Sequence, residues 1–144
     1  MVGLVVAAHG RLADELVATA EQIVGKLGNV ATVSIEPGTS PESIRSKIRD
    51  VVHGLDSGEG VLVFADLFGG TPCKESLMLC NVEHLEVLAG VNLPMLLKAN
   101  ALRADMPAEQ MTLHEMAQAL ALYGQKCITC ASDLFRGAED RNNH

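Results

Sequence analysis

The chain has 144 residues, 48% hydrophobic and 20% charged, with a formal net charge of −7, which suits one domain around one core. Aromatic residues are only 3%, so the core is aliphatic and stacking platforms for nucleic acid are missing; no Lys/Arg cluster offers a footprint for a phosphate backbone. No stretch approaches the roughly 20 apolar residues that span a bilayer, and Cys73, Cys80, Cys127 and Cys130, with no secretory leader before them, read as reduced thiols in a cytoplasm.

In chain order, Val2 to Ala8 is an apolar run closed by His9-Gly10, the pattern of a strand buried on both faces of a parallel sheet. Leu12-Ala13, Leu16-Val17, Ala20 and Ile23-Val24 then recur at helical spacing, with Asp14 and Glu15 in the first turn and Gly28 past the end. Ala31 to Glu36 reads as a second strand, stopped by Pro37-Gly38. Ser40-Pro41 supplies an N-cap and a first-turn proline for a helix whose apolar face is Ile44, Ile48, Val51-Val52 and Leu55.

Residues 57–60 form a turn, and Val61 to Ala65 is a third buried strand that ends at Asp66. Thr71-Pro72 repeats the cap-and-proline signal for a helix expected to reach about Asn81. Leu85 to Ala89 is a fourth strand, Gly90 to Pro94 a loop, and Met95 to about Ala104 a helix. Thr112 caps a further helix carrying Leu113, Met116-Ala117, Leu120 and Tyr123-Gly124. Lys126 to Ala131 is expected as a last short strand. Residues 1–131 then make one domain, and 132–144 a polar, flexible tail. Strands alternating with helices of this length imply right-handed βαβ units and an α/β fold.

Ligands of open α/β sheets bind at the carboxyl ends of strands, near the point where strand order reverses. His9-Gly10, Asp66 and Gly69-Gly70-Thr71-Pro72 all fall at such ends. Should strands one and three be neighbours, His9 and Asp66 share a crevice. A carboxylate on Nδ1–H would fix the imidazole tautomer and stabilise charge developing on the ring, leaving Nε2 as nucleophile. Gly69, Gly70 and Thr71 would offer backbone N–H groups and a hydroxyl to phosphate oxygens. Phosphoryl transfer needs positioning and charge stabilisation above all, so neither metal nor organic cofactor is expected.

Three blocks carry a family resemblance: VGLVVAAHGRLADEL, VLVFADLFGGTPCKES and LEVLAGVNLPMLLKANAL. In order and spacing they resemble the IIA domain of the mannose/fructose/sorbose-type phosphotransferase family, from about Met1 to Ala131. The resemblance implies an open, mainly parallel sheet ordered 2-1-3-4, with helices on both faces and a carboxyl-terminal antiparallel fifth strand that can swap between subunits of a homodimer; Lys126 to Ala131 matches that strand. It implies phosphorylation of His9 by phospho-HPr, orientation of His9 by Asp66, phosphate contact by Thr71 beside Gly70, and transfer onward to a IIB component. Such a protein is cytoplasmic and meets the membrane only through IIC and IID partners. The chain departs from the family pattern at Ala8, at Leu67-Phe68 and at Cys73-Lys74. It stops where a linker and IIB domain follow in fused members, so IIB is expected as a separate polypeptide.

Other readings rank lower. The same His9 chemistry could serve a regulatory phosphohistidine switch without sugar transport. A phosphotransfer subunit of dihydroxyacetone kinase often has Ser where Gly10 stands, and a sirohydrochlorin-type chelatase would want a second metal-binding histidine in reach. His53, His84, His114 and His144 read as surface residues, and Met95, Met106, Met111 and Met116 as core filler. The Cys127-x-x-Cys130 pair lacks the second pair of a zinc site.

Overall fold

A computed structural model describes residues 1–105 and 110–142, with side chains described to residue 137. The elements run β1 (Gly3–His9), α1 (Leu12–Val24), β2 (Val30–Ile35), α2 (Pro41–Leu55), β3 (Val61–Ala65), α3 (Thr71–Leu77), β4 (Leu85–Ala89), α4 (Leu93–Asp105), α5 (Leu113–Lys126) and α6 (Ala131–Asn142). All four strands are parallel, in the order β2-β1-β3-β4. None of the described helices is long and apolar enough to cross a membrane.

The strands' two-residue period divides the interior into two cores. Leu4, Val6 and Ala8 of β1, with Leu62 and Phe64 of β3, face α1, α4 and α5. Val5 and Ala7, with Val61 and Val63, face α2 and the α3 side. Both central strands are thus apolar at nearly every position, because neither face is left to water. At the start of β1 the backbone passes so close to α2 that a Cβ on Gly3 would lie 2.9 Å from Leu55 Cβ.

Arg103 of α4 is 6% exposed and has no carboxylate partner among the described residues. Its guanidinium donates to the carbonyls of Val2 (2.9 Å), Asn29 (3.2 Å) and Gly28, clamping the β1 entry to the turn before β2. Desolvation pulls its pKa below the ordinary arginine value. This clamp lies at the amino-terminal rim of the sheet, away from the strand ends that carry His9 and Asp66.

Several boundaries differ from the sequence reading. α4 begins at Leu93, since Pro94 is compatible with a first turn, where its missing N–H costs nothing. α3 ends at Leu77, and residues 78–80 continue as tighter turns through Leu79 N–H to Ser76 O and Cys80 N–H to Leu77 O. The expected fifth strand at Lys126–Ala131 is not formed: Lys126 closes α5, Cys127 caps it, and Ala131 opens α6. Among the described residues this four-residue connector has no antiparallel neighbour to complete a ladder. The segment read as a polar tail is helical to Asn142, with side chains 131–136 exposed. Met106 and His144 lie outside the described residues. Met95 and Met116 are buried and Met111 packs against them, while His53, His84 and His114 are exposed.

Thr112 caps α5 through a reciprocal pair: its hydroxyl accepts from Glu115 N–H at 3.1 Å, and Glu115 Oε1 accepts from Thr112 N–H at 3.2 Å. Thr112→Ala should therefore cost about 1 kcal/mol. Chemical denaturation checks this; a variant as stable as wild type would deny the cap any net contribution.

Candidate functional site

Because β1 lies between β2 and β3, the strand ends that carry His9 and Asp66 are adjacent. His9 is the last residue of β1, paired with Ile35 of β2, and Asp66 follows the last residue of β3. Asp66 Oδ2 accepts from the His9 backbone N–H at 3.0 Å and lies 2.8 Å from His9 Nδ1. The carboxylate thus holds the same residue at main chain and ring. With Nδ1 as donor to Asp66, the open nitrogen is Nε2.

The imidazole is 49% exposed and the Asp66 side chain only 9%. Burial alone would raise the Asp66 pKa. The His9 N–H, the His9 ring bond and charge, and the Leu67 N–H at 2.9 Å outweigh it, holding the carboxyl below its ordinary 3.8. A depressed folded-state pKa contributes stability that is complete above the unfolded value and lost as pH falls through the folded one. The stability gap between wild type and Asp66→Asn should accordingly persist down to about pH 4 and close below it. Urea titrations across this range check the sign, and a gap that widens on acidification would contradict it.

Beside His9 opens a cleft of about 340 Å³ lined by His9, Gly10, Ile35, Glu36, Pro37, Gly38, Thr39, Ile44 and Thr71. Thr71 begins α3, and Gly70 precedes it as an N-cap with no side chain to satisfy the first turn. Pro72 has no N–H, and Lys74 N–H bonds back to Gly70 O, so Thr71 and Cys73 carry the helix's orphan donors. The Gly70 N–H is turned onto Leu67 O at 3.4 Å, which removes it from the set of free donors expected from this loop. Gly69 takes φ +82°, a conformation suited to glycine, and lets the loop turn sharply after Phe68. A Cβ on Gly70 would come to 3.5 Å from His9 Cε1, ordinary van der Waals contact, so the loop lies directly beside the ring.

His9, Asp66, Gly70 and Thr71 therefore meet at one rim. Of the residues expected at the site, His9 and Thr71 line the cleft, whereas Asp66, Gly69 and Gly70 lie behind or beside it. The β2–α2 wall, Glu36 to Thr39, is a part of the site not singled out from sequence. Pro37-Gly38 at a strand's carboxyl end was its available signal. The arrangement can hold an imidazole in one tautomer and receive an anionic group at its free nitrogen.

Residues 3–118 match the family described as EIIA-man, PTS system fructose IIA component. The chain is 36% identical over 108 residues to the mannose-specific EIIAB component of Escherichia coli K12, which covers 74% of this chain and 33% of that protein. This chain thus spans about a third of that relative's length. It is 25% identical over 143 residues to the fructose-specific EIIA component of Bacillus subtilis 168, covering 99% of this chain and 94% of the relative. Among solved structures, the mannose/sorbose-specific IIA subunit from Enterococcus faecalis superposes with a TM-score of 0.75 at 33% identity, over 89% of this chain and 92% of that one.

Proposed function

This chain belongs to the EIIA-man family of phosphotransferase-system IIA components, and from that membership we propose that His9 accepts a phosphoryl group from phospho-HPr and passes it to a IIB component. The observation that carries the site assignment is the 2.8 Å contact between His9 Nδ1 and Asp66, with the ring lining a cleft shared by Thr71.

In the forward step a lone pair on Nε2 attacks phosphorus while the donor's P–N bond breaks in line. The ring of His9 becomes cationic as the new N–P bond forms, and the Asp66 carboxylate stabilises that charge at Nδ1–H. The phosphoryl oxygens meet the Thr71 hydroxyl and the orphan N–H groups of Thr71 and Cys73, with Gly69 and Gly70 shaping the approach. The second transfer reverses these roles when an acceptor imidazole attacks. Everything the chain supplies is positional and electrostatic, as phosphoryl transfer requires.

Asp66→Asn should lower the rate of phosphoryl transfer about 10- to 100-fold while the fold persists, because the amide no longer stabilises the cationic ring and can present the wrong hydrogen-bonding group to Nδ1. Rapid-quench measurement with phospho-HPr tests this; an unchanged rate would remove Asp66 from the mechanism. A homodimer belongs to the same proposal. It is supported by the exposed Leu122, Tyr123, Ile128, Leu134 and Phe135 on α5, the connector and α6, apolar surface that a second copy could cover.

The overall assignment is tested by incubating the protein with phosphoenolpyruvate, Enzyme I and HPr, then mapping the acid-labile phosphate. Label on any residue other than His9 would reject it. Transport and the regulatory switch share this chemistry and part at the next step: transfer to a IIB histidine supports transport.

A further inference from the structure

Two apolar side chains stand in solvent beside the nucleophile. Of the chain's three phenylalanines, Phe64 is fully buried in β3, whereas Phe68 is 86% exposed, and Leu67 next to it is exposed too. A Cβ on Gly70 would lie 3.4 Å from Leu67 Cβ as well as beside His9 Cε1, the ring carbon bonded to Nε2. Leu67 is therefore a near neighbour of the ring edge that the phosphoryl group must reach. The apolar surface continues along α3. Lys74, Leu77 and Met78 are exposed and, three and four residues apart, share one side of that helix, while Pro72, Cys73, Glu75 and Ser76 are buried. A helix of this length spans about 10 Å, so the loop and the far end of α3 form one patch.

We propose that this face, formed by Leu67, Phe68, Leu77 and Met78, is where the phosphoryl-donor protein docks, an inference that rests on the function proposed above. In-line transfer brings the reacting atoms to about 3–3.5 Å, so a donor imidazole at Nε2 carries its own surface onto the residues that rim the cleft. The wall at Glu36 to Thr39 offers that surface no large aliphatic or aromatic side chain; the loop and α3 do. Desolvated aromatic anchors supply much of the affinity of a protein contact, and Phe68 is the most exposed large hydrophobic side chain among the described residues. Arg45 of α2 borders the patch, its Nη1 3.1 Å from Met78 Sδ and 3.4 Å from Glu75 Oε2. Met78 is thus held in place by a side chain anchored on the neighbouring helix, and less order has to be imposed on binding.

A second copy of this chain is the poorer occupant. The apolar surface assigned to the homodimer lies on α5, the connector and α6, and α5 packs on the other face of the sheet. Met116 and Leu120 of α5 join the core of Leu4 and Leu62, whereas Leu79, in the turns after α3, joins the core of Val61 and Leu85. The two surfaces therefore serve two partners. The donor's matching chemistry is apolar surface around its phosphohistidine, with charged groups kept to the edge, where Lys74 stands.

The test compares Phe68→Ser, Met78→Ser and Ile23→Ser in the full chain, with phospho-HPr as donor and rapid quench as readout. All three replace exposed side chains, so the fold is retained, which circular dichroism checks. Ile23 lies near the far end of α1, at the opposite rim, and its variant should match wild type. Phe68→Ser and Met78→Ser should each raise KM for phospho-HPr about tenfold or more and lower kcat less than about threefold, the split that follows when affinity is lost and the reacting geometry kept. Unphosphorylated HPr should shift the amide resonances of residues 67–82 in the labelled wild-type chain. Equal KM values for wild type and both patch variants would overturn the docking surface and leave His9 as nucleophile. A wild-type chain that takes no phosphate from phospho-HPr would remove the proposed function and the docking surface together. Patch variants that slow only delivery to IIB, or that sediment at a lower mass than wild type, would assign the face to the acceptor or to a second copy and reject the donor.

Discussion

His9→Ala is expected to take up no phosphate from phosphoenolpyruvate, Enzyme I and HPr, a loss of at least three orders of magnitude that reaches the detection floor. No neighbouring group can substitute. Asp66 is turned toward Nδ1 rather than into the cleft, and a threonine hydroxyl is a weak nucleophile without a base. The fold should be nearly unaffected, because the imidazole is half exposed at the end of β1 and outside both hydrophobic cores. Circular dichroism and denaturant midpoint should therefore match wild type within about 1 kcal/mol. Normal phosphate incorporation by a folded His9→Ala protein would end the assignment of the nucleophile.

The largest expected loss of stability lies at the opposite rim. Arg103→Ala deletes the donors to Val2 O, Asn29 O and Gly28 O at once, and leaves a void where α4 meets the β1 entry. Hydrogen bonds from charged donors contribute about 1.5–3 kcal/mol each in net terms, and carbonyls that regain water recover part of that. A loss of about 3–5 kcal/mol is expected, a large share of the stability of a domain this size. Arg103→Lys keeps the charge and loses the planar fork, so it should fall between the two. Denaturant unfolding checks both variants. Equal stability of Arg103→Ala and wild type would mean that the clamp contributes nothing, and phosphotransfer by the folded fraction should be unchanged in either case.

That division explains what could be read from the chain and what could not. β1 and β3 were legible because strands buried on both faces are apolar at consecutive positions, and few other short elements are. The caps at Ser40 and Thr112 were legible because their chemistry is local: Ser40 Oγ accepts from Ser43 N–H at 3.1 Å. Strand order is non-local and does not show in periodicity, so the adjacency of His9 and Asp66 came from the family resemblance, whose 2-1-3-4 order the sheet has.

Arg103 was invisible for the opposite reason. A lone arginine near the end of a helix looks like a solvated cation favoured by the helix dipole, and only the folded chain shows three distant carbonyls converging on it. Lys126–Ala131 misled because a β-branched pair between cysteines resembles a strand, while the outcome there depends on the two helices that flank it. The cleft wall at Glu36 to Thr39 was overlooked because its part in the site follows from β2 lying beside β1.

The double grip of Asp66 on His9 has a consequence for traffic. One ring nitrogen is occupied by the carboxylate, and the backbone is fastened to the same oxygen, so the imidazole has a single open door and cannot turn about to face a different caller. On the proposed function, donor and acceptor proteins use that door in succession. Unphosphorylated HPr in excess should therefore obstruct delivery to IIB, and no three-body assembly should accumulate on one copy of this chain.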